Sequence, residues 1–120
     1  MSDDPKTEDE VFEARLALLR ALAAEDPADA ATHFLLGREL LSHGRAAEAI
    51  PAFEAAIGAD ADYAAAYRQL GNAQEAAGRA EEAAATWLRG IEVAARTNDL
   101  QAGKEMNAFL RRLSRKRPPP

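Results

Sequence analysis

A block of residues is written twice, and the distance between the two copies restricts the fold more than any other feature. Gly37 returns as Gly71 and Gly44 as Gly78, each pair 34 residues apart. In the same register Leu36 matches Leu70, Arg45 matches Arg79, Glu48 matches Glu82, Ala49 matches Ala83 and Ile57 matches Ile91. His33 aligns with Tyr67 and Phe53 with Trp87, so large residues recur along with small ones. Self-similarity at one spacing of this length marks stacked supersecondary units, each unable to bury its own apolar face alone.

Within each copy the apolar spacing is helical. Asp29 is placed to cap a first helix carrying His33, Leu36, Gly37 and Leu40 on one side, and His43-Gly44 ends it. A second helix from about Ala46 to Ala59 puts Ala49, Phe53, Ala56 and Ile57 on one face. Pro51 falls near its first turn, where a mild bend is expected rather than a break. The next copy repeats the plan, with Asp62 before a helix of about Ala64 to Ala77, Gly78 as the stop, and a helix of about Ala80 to Arg96.

Flanking helices complete the arrangement. Thr7 and Glu10 have capping-box spacing, and Val11, Phe12, Leu16, Leu19 and Leu22 extend a helix from there until Asp26-Pro27. After a turn at Thr97-Asn98-Asp99, Leu100, Gly103, Met106, Phe109, Leu110 and Leu113 form a last apolar stripe. The positions one period beyond Leu70 and Gly71 are Lys104 and Glu105, so this helix lacks the repeat signature and reads as a cap. The expected organisation is therefore a disordered start (1–6), one helical domain (7–114) and a disordered basic, proline-rich end (115–120). Inside the domain lie a capping helix (7–24), two units (30–63 and 64–97) and a closing helix (98–114).

Composition narrows the function. Much of the hydrophobic 48% is alanine, which favours helix but buries little area, so the aromatic and Leu/Ile residues must carry the core. A net charge of −5 argues against a dedicated nucleic-acid binder. The chain has no cysteine, hence no disulfide and no thiolate metal site. No apolar run reaches membrane-spanning length and the first ten residues are acidic, which leads to the expectation of a cytoplasmic protein with no membrane partner. His33 and His43 lie ten residues apart without convergent ligands, Ser42 and His43 point about 100° apart on a helix, and no phosphate-cradling glycine loop is present. The reading is a non-enzyme without cofactor, metal or small-molecule substrate.

Residues 30–97 resemble two tetratricopeptide repeats: His33, Leu36, Gly37, Leu40, Gly44, Ala49, Phe53 and Ala56, then Tyr67, Leu70, Gly71, Gly78, Ala83, Trp87 and Gly90. The sequence departs from the family pattern at His33, Gln74 and Gly90, and at Ala61 and Ala95, where proline is usual. The closing helix is similar to the endings of small bacterial proteins of this class. The resemblance implies an all-α, right-handed solenoid of two helix hairpins between capping helices. It also implies a concave groove that receives an extended peptide or a partner helix.

Helical register assigns that groove Phe34, Arg38 and Leu41 from the first unit and Arg68 and Asn72 from the second. Arg68 and Asn72 resemble members of the carboxylate clamp of chaperone-binding relatives, a clamp that spans three repeats where two are present here. The expected partner is another protein or peptide of acidic character with an apolar anchor. The competing reading makes Arg38 with Glu75, or Arg68 with Asp99, plain surface ion pairs. Two further alternatives are self-association through an incompletely capped end, giving a monomer or weak homo-oligomer, and a nucleic-acid accessory role for the basic Arg111, Arg112, Arg115, Lys116 and Arg117. Helix-dipole compensation already accounts for that cluster, which disfavours the last of these.

Overall fold

Capping chemistry sets the helix ends in this computed structural model, which describes residues 7–116. The expected disordered ends, 1–6 and the last four residues, lie outside the described residues. The six helices are α1 (Glu8–Glu25), α2 (Ala30–Ser42), α3 (Ala46–Ala59), α4 (Ala64–Ala76), α5 (Ala80–Thr97) and α6 (Leu100–Lys116), with no strand among the described residues. The Thr7 hydroxyl oxygen accepts from the Glu10 N–H at 3.1 Å, and Glu8, Asp9 and Glu10 place negative charge at the positive end of α1. Asp29 does the same service for α2 by accepting from the Ala31 N–H at 3.1 Å. Gly44 and Gly78 take φ of 74° and 82°, left-handed conformations that end α2 and α4. α3 runs through Pro51 without interruption.

Two local expectations change. Asp62 does not cap α4, whose N-cap is Tyr63 without a side-chain bond. The Asp60 carboxylate accepts from the Asp62 N–H instead, which turns the Asp62 side chain across to Arg96 of α5. α6 continues through Arg115 and Lys116, which the sequence pattern places in the disordered end. Asp99 starts it by accepting from the Ala102 N–H at 3.1 Å, after Asn98 turns the chain at φ 60°.

α2 packs on α3 and α4 on α5 as hairpins, α3 packs on α4, and α5 on α6. The hairpins close where small meets large. A Cβ on Gly37 would lie 2.7 Å from the Phe53 ring, and one on Gly71 would lie 2.5 Å from Trp87 Cδ1, so only glycine lets these backbones approach. Phe53 and Trp87 are both 0% exposed. One core joins Phe12, Leu16, Phe34, Leu40, Phe53 and Leu70 across α1 to α4, and another joins Tyr67, Trp87, Val93, Met106 and Leu113 across α4 to α6. Ile57 packs against both.

Candidate binding groove

α2, α4 and α6 touch one another in file, α2 to α4 and α4 to α6, whereas the backbones of α1, α3 and α5 stay apart and α1 reaches α3 through the Arg20–Glu48 ion pair at 3.9 Å. Elements on the inside of a curve crowd together, so the first helix of each hairpin, with α6 in line, forms the inner face. α6 therefore does more than cover an open end. Its buried Ala102, Met106 and Leu113 and half-buried Phe109 recur from Ala66, Leu70, the C-cap Ala77 and Ala73 of α4, two positions later than the repeat period. It takes the place of a third first-helix and adds its own side chains to the face.

The expected groove residues fall into different environments. Phe34 is 8% exposed, stacks on Tyr63 with centroids 5.0 Å apart and meets Phe53 edge-on at 5.8 Å, so it is committed to the core. Leu41 is half-buried against the same core. Arg38 is exposed and near the Tyr63 phenol, whose pKa burial raises and the Arg38 charge lowers. It makes no hydrogen bond or ion pair among the described residues. Asn72 is half-buried and donates from Nδ2 to Gln69 Oε1 at 3.2 Å.

Arg68 has a carboxylate partner, but not Asp99. Its Nη1 donates to Glu105 Oε2 of α6 at 2.7 Å, and Gln101 Nε2 donates to the other oxygen at 2.9 Å. The Gln101 amide and then Arg68 hold the Glu105 carboxyl below its ordinary pKa. Arg68 is also fixed from behind, because the buried Trp87 Nε1–H donates to its backbone carbonyl at 3.1 Å. Glu75 pairs with Arg112 of α6 rather than with Arg38. Sequence reasoning missed Gln101, Glu105 and Arg112, because a strict 34-residue step laid Lys104 and Glu105 on Leu70 and Gly71. The stripe of Ala102, Met106, Phe109 and Leu113 was the signal that reveals the true register.

The two histidines have structural partners. His33 Nε2 lies 2.7 Å from the Pro27 carbonyl, tying α2 to the turn before it, and the His43 ring stacks on Phe12 with centroids 3.8 Å apart. Against the expectation from helical spacing, His43 Nδ1 lies 3.1 Å from Ser42 Oγ, whose hydroxyl donates to the Glu39 carbonyl at 2.9 Å. No group of three or more metal-ligating side chains converges among the described residues.

Comparison with known proteins agrees with the fold. The tetratricopeptide repeat family profile matches residues 13–62 and 34–99. The chain is 36% identical over 99 residues to the TPR repeat-containing protein PA0015 of Pseudomonas aeruginosa, covering 82% of this chain and 94% of that one. A Bordetella parapertussis protein solved in solution superposes with a TM-score of 0.74 at 31% identity, over 84% of this chain and 88% of its own. The TPR2B domain of yeast Sti1, solved as a complex with pHsp70, shares the fold at a TM-score of 0.82 and 20% identity, over 91% of this chain and 87% of that one.

Proposed function

Since the chain belongs to the tetratricopeptide repeat family, we propose that it is a non-catalytic adaptor whose inner face binds an acidic segment of a partner protein. The observation that carries this reading is the Arg68–Glu105 contact. A carboxylate already seats on that guanidinium at 2.7 Å, with an amide donor beside it, which is the chemistry an incoming Asp, Glu or chain-terminal carboxylate needs. Arg38, exposed and without an ion pair, supplies a second cation along the same face, and Asn72, one turn along α4 from Arg68, an amide. Phe34 and Leu41 support this face from beneath, so the apolar anchor of the ligand meets the edge of the core rather than an open Phe34 ring. The yeast relative in complex with pHsp70 supports a protein ligand for the fold.

The test is affinity capture from the native host with wild type and with Arg38→Glu/Arg68→Glu. A partner held by wild type is lost by the double variant and held at least as well by Glu105→Gln, which removes the internal competitor for Arg68. A partner held equally by all three moves the site elsewhere.

A further inference from the structure

Both ends of the described solenoid carry half a hairpin. α1 sits in the register of a second helix: Leu19 aligns with Phe53 and Trp87, and Leu22 with Ala56 and Gly90. The turns that follow agree, since the Asp26 N–H donates to the Leu22 carbonyl as the Asp60 N–H does to that of Ala56. The Asp26 and Asp60 carboxylates then accept from the N–H two residues on. Yet α1 lies along α2, with Arg20 reaching Glu48 of α3, and no first helix covers its other side among the described residues. There it exposes Leu18 at 60% and Leu22 at 41%, beside a groove of about 200 Å³ with Leu19 and Leu35 in its walls.

α6 is the complementary half. Its register sets Gly103 where α4 has Tyr67 and Asn107 where α4 has Gly71, the face on which a second helix lies. Among the described residues nothing covers that face, and a groove of about 210 Å³ opens there between α5 and α6. Ile91, Ala94, Leu100 and Gly103 line it, and Leu100 is 66% exposed.

We propose that copies of this chain join head to tail, with α6 of one copy and α1 of the next completing one shared hairpin. Size complementarity supports a second copy as the occupant. Within the chain, large Tyr67 is matched by small Gly90, where a Cβ would come 2.7 Å from Tyr67 Cβ. At the junction the same position pairs small Gly103 with large Leu22, so the volume is exchanged rather than lost. Charge supports it independently. In an antiparallel hairpin the last turn of the first helix adjoins the first turn of the second. This brings Arg115 and Lys116 at the end of α6 against Glu8, Asp9 and Glu10 at the start of α1. None of these five makes an ion pair among the described residues. Such an interface is heterologous, so it grows into an open row or a closed ring instead of stopping at two.

Sedimentation velocity of the full chain over a concentration series tests this. Wild type rises past the dimer mass with concentration and falls back with added salt. Leu22→Glu disables the α1 end and Leu100→Glu the α6 end, both at exposed positions, so each variant alone stays monomeric. Mixed, they form a one-to-one dimer and stop there, because one intact end remains on each. Arg115→Glu/Lys116→Glu weakens assembly, and mixing with Glu8→Lys/Asp9→Lys restores a dimer, a charge swap at positions that bear no core packing. Wild type monomeric at every concentration, a wild-type dimer that never grows, or mixtures that stay monomeric overturn the proposal. Arg38 also lines the groove between α1 and α2, so capture of an acidic partner is compared in the monomeric variants, which leave Arg38, Arg68 and Asn72 unchanged.

Discussion

Between α2 and α3 the Phe53 ring lies over Gly37; at the matching place in α4 and α5 the larger Trp87 ring lies over Gly71. One helical turn along, the first hairpin buries Leu40 and Ala52, whereas the second buries Gln74 and Thr86, with the Thr86 hydroxyl donating to Gln74 Oε1 at 2.6 Å. The glycine that sets the backbone spacing is common to both, and the filling around it is not. The difference matters for the groove. Trp87 has an N–H with which to hold the Arg68 carbonyl, and Phe53 has nothing comparable to offer Phe34. The second hairpin thus fixes a cation on the inner face, while the first tucks an aromatic ring into the core.

The widest separation between the hairpins should come from removing the rings. Trp87→Ala is expected to cost roughly 3–5 kcal/mol in urea unfolding, and more than Phe53→Ala, since a larger side chain and its hydrogen bond are lost together. Equal losses would erase the distinction drawn here. Next come the glycines: Gly71→Ala and Gly37→Ala should each cost about 1–3 kcal/mol by overpacking. Gly71 should be the worse, because its added Cβ would meet the tighter contact. The reverse order in thermal melts would show that the Trp87 ring gives way more easily than Phe53.

The buried polar pair offers a finer probe. Gln74→Leu alone strands the Thr86 hydroxyl and should cost about 1–3 kcal/mol, whereas Gln74→Leu/Thr86→Ala gives the second hairpin the apolar filling of the first and returns most of that loss. A double variant worse than the single would mean that the polar pair does more than fill space.

The smallest effect belongs to Glu105. Its carboxyl is held below the ordinary carboxylate range when folded, so its contribution is present above the unfolded pKa and disappears as pH falls through the lowered folded value. As a partly exposed pair it is worth about 0.2–1 kcal/mol. Thermal melts of wild type and Glu105→Gln across the acid range should converge at the low end; a constant gap would mean that Glu105 carries no pH-linked stability.

The hairpins were legible because glycine, alanine and aromatic residues at one period are a direct imprint of backbone contact. Thr7, Asp29, Gly44 and Gly78 were legible for a similar reason: each satisfies a local demand that its neighbours in sequence already reveal. Contacts between helices far apart in the chain were not. Phe34 turned inward because Tyr63, from the turn before α4, lies against its ring, and a helical wheel for α2 alone contains no Tyr63. Arg68 found Glu105 because α6 is set two residues out of step with the period, a shift invisible until its stripe is laid on that of α4.

A double-mutant cycle at Gly71 and Trp87 tests the glycine-and-ring account most directly. With Trp87 present, Gly71→Ala destabilises; in a Trp87→Leu background the obstructing ring is gone, and the same change should become neutral or stabilise by up to about 1 kcal/mol through better helix propensity. An identical cost in both backgrounds would mean that Gly71 and Trp87 do not face each other, and the duplicated hairpin would have to be redrawn.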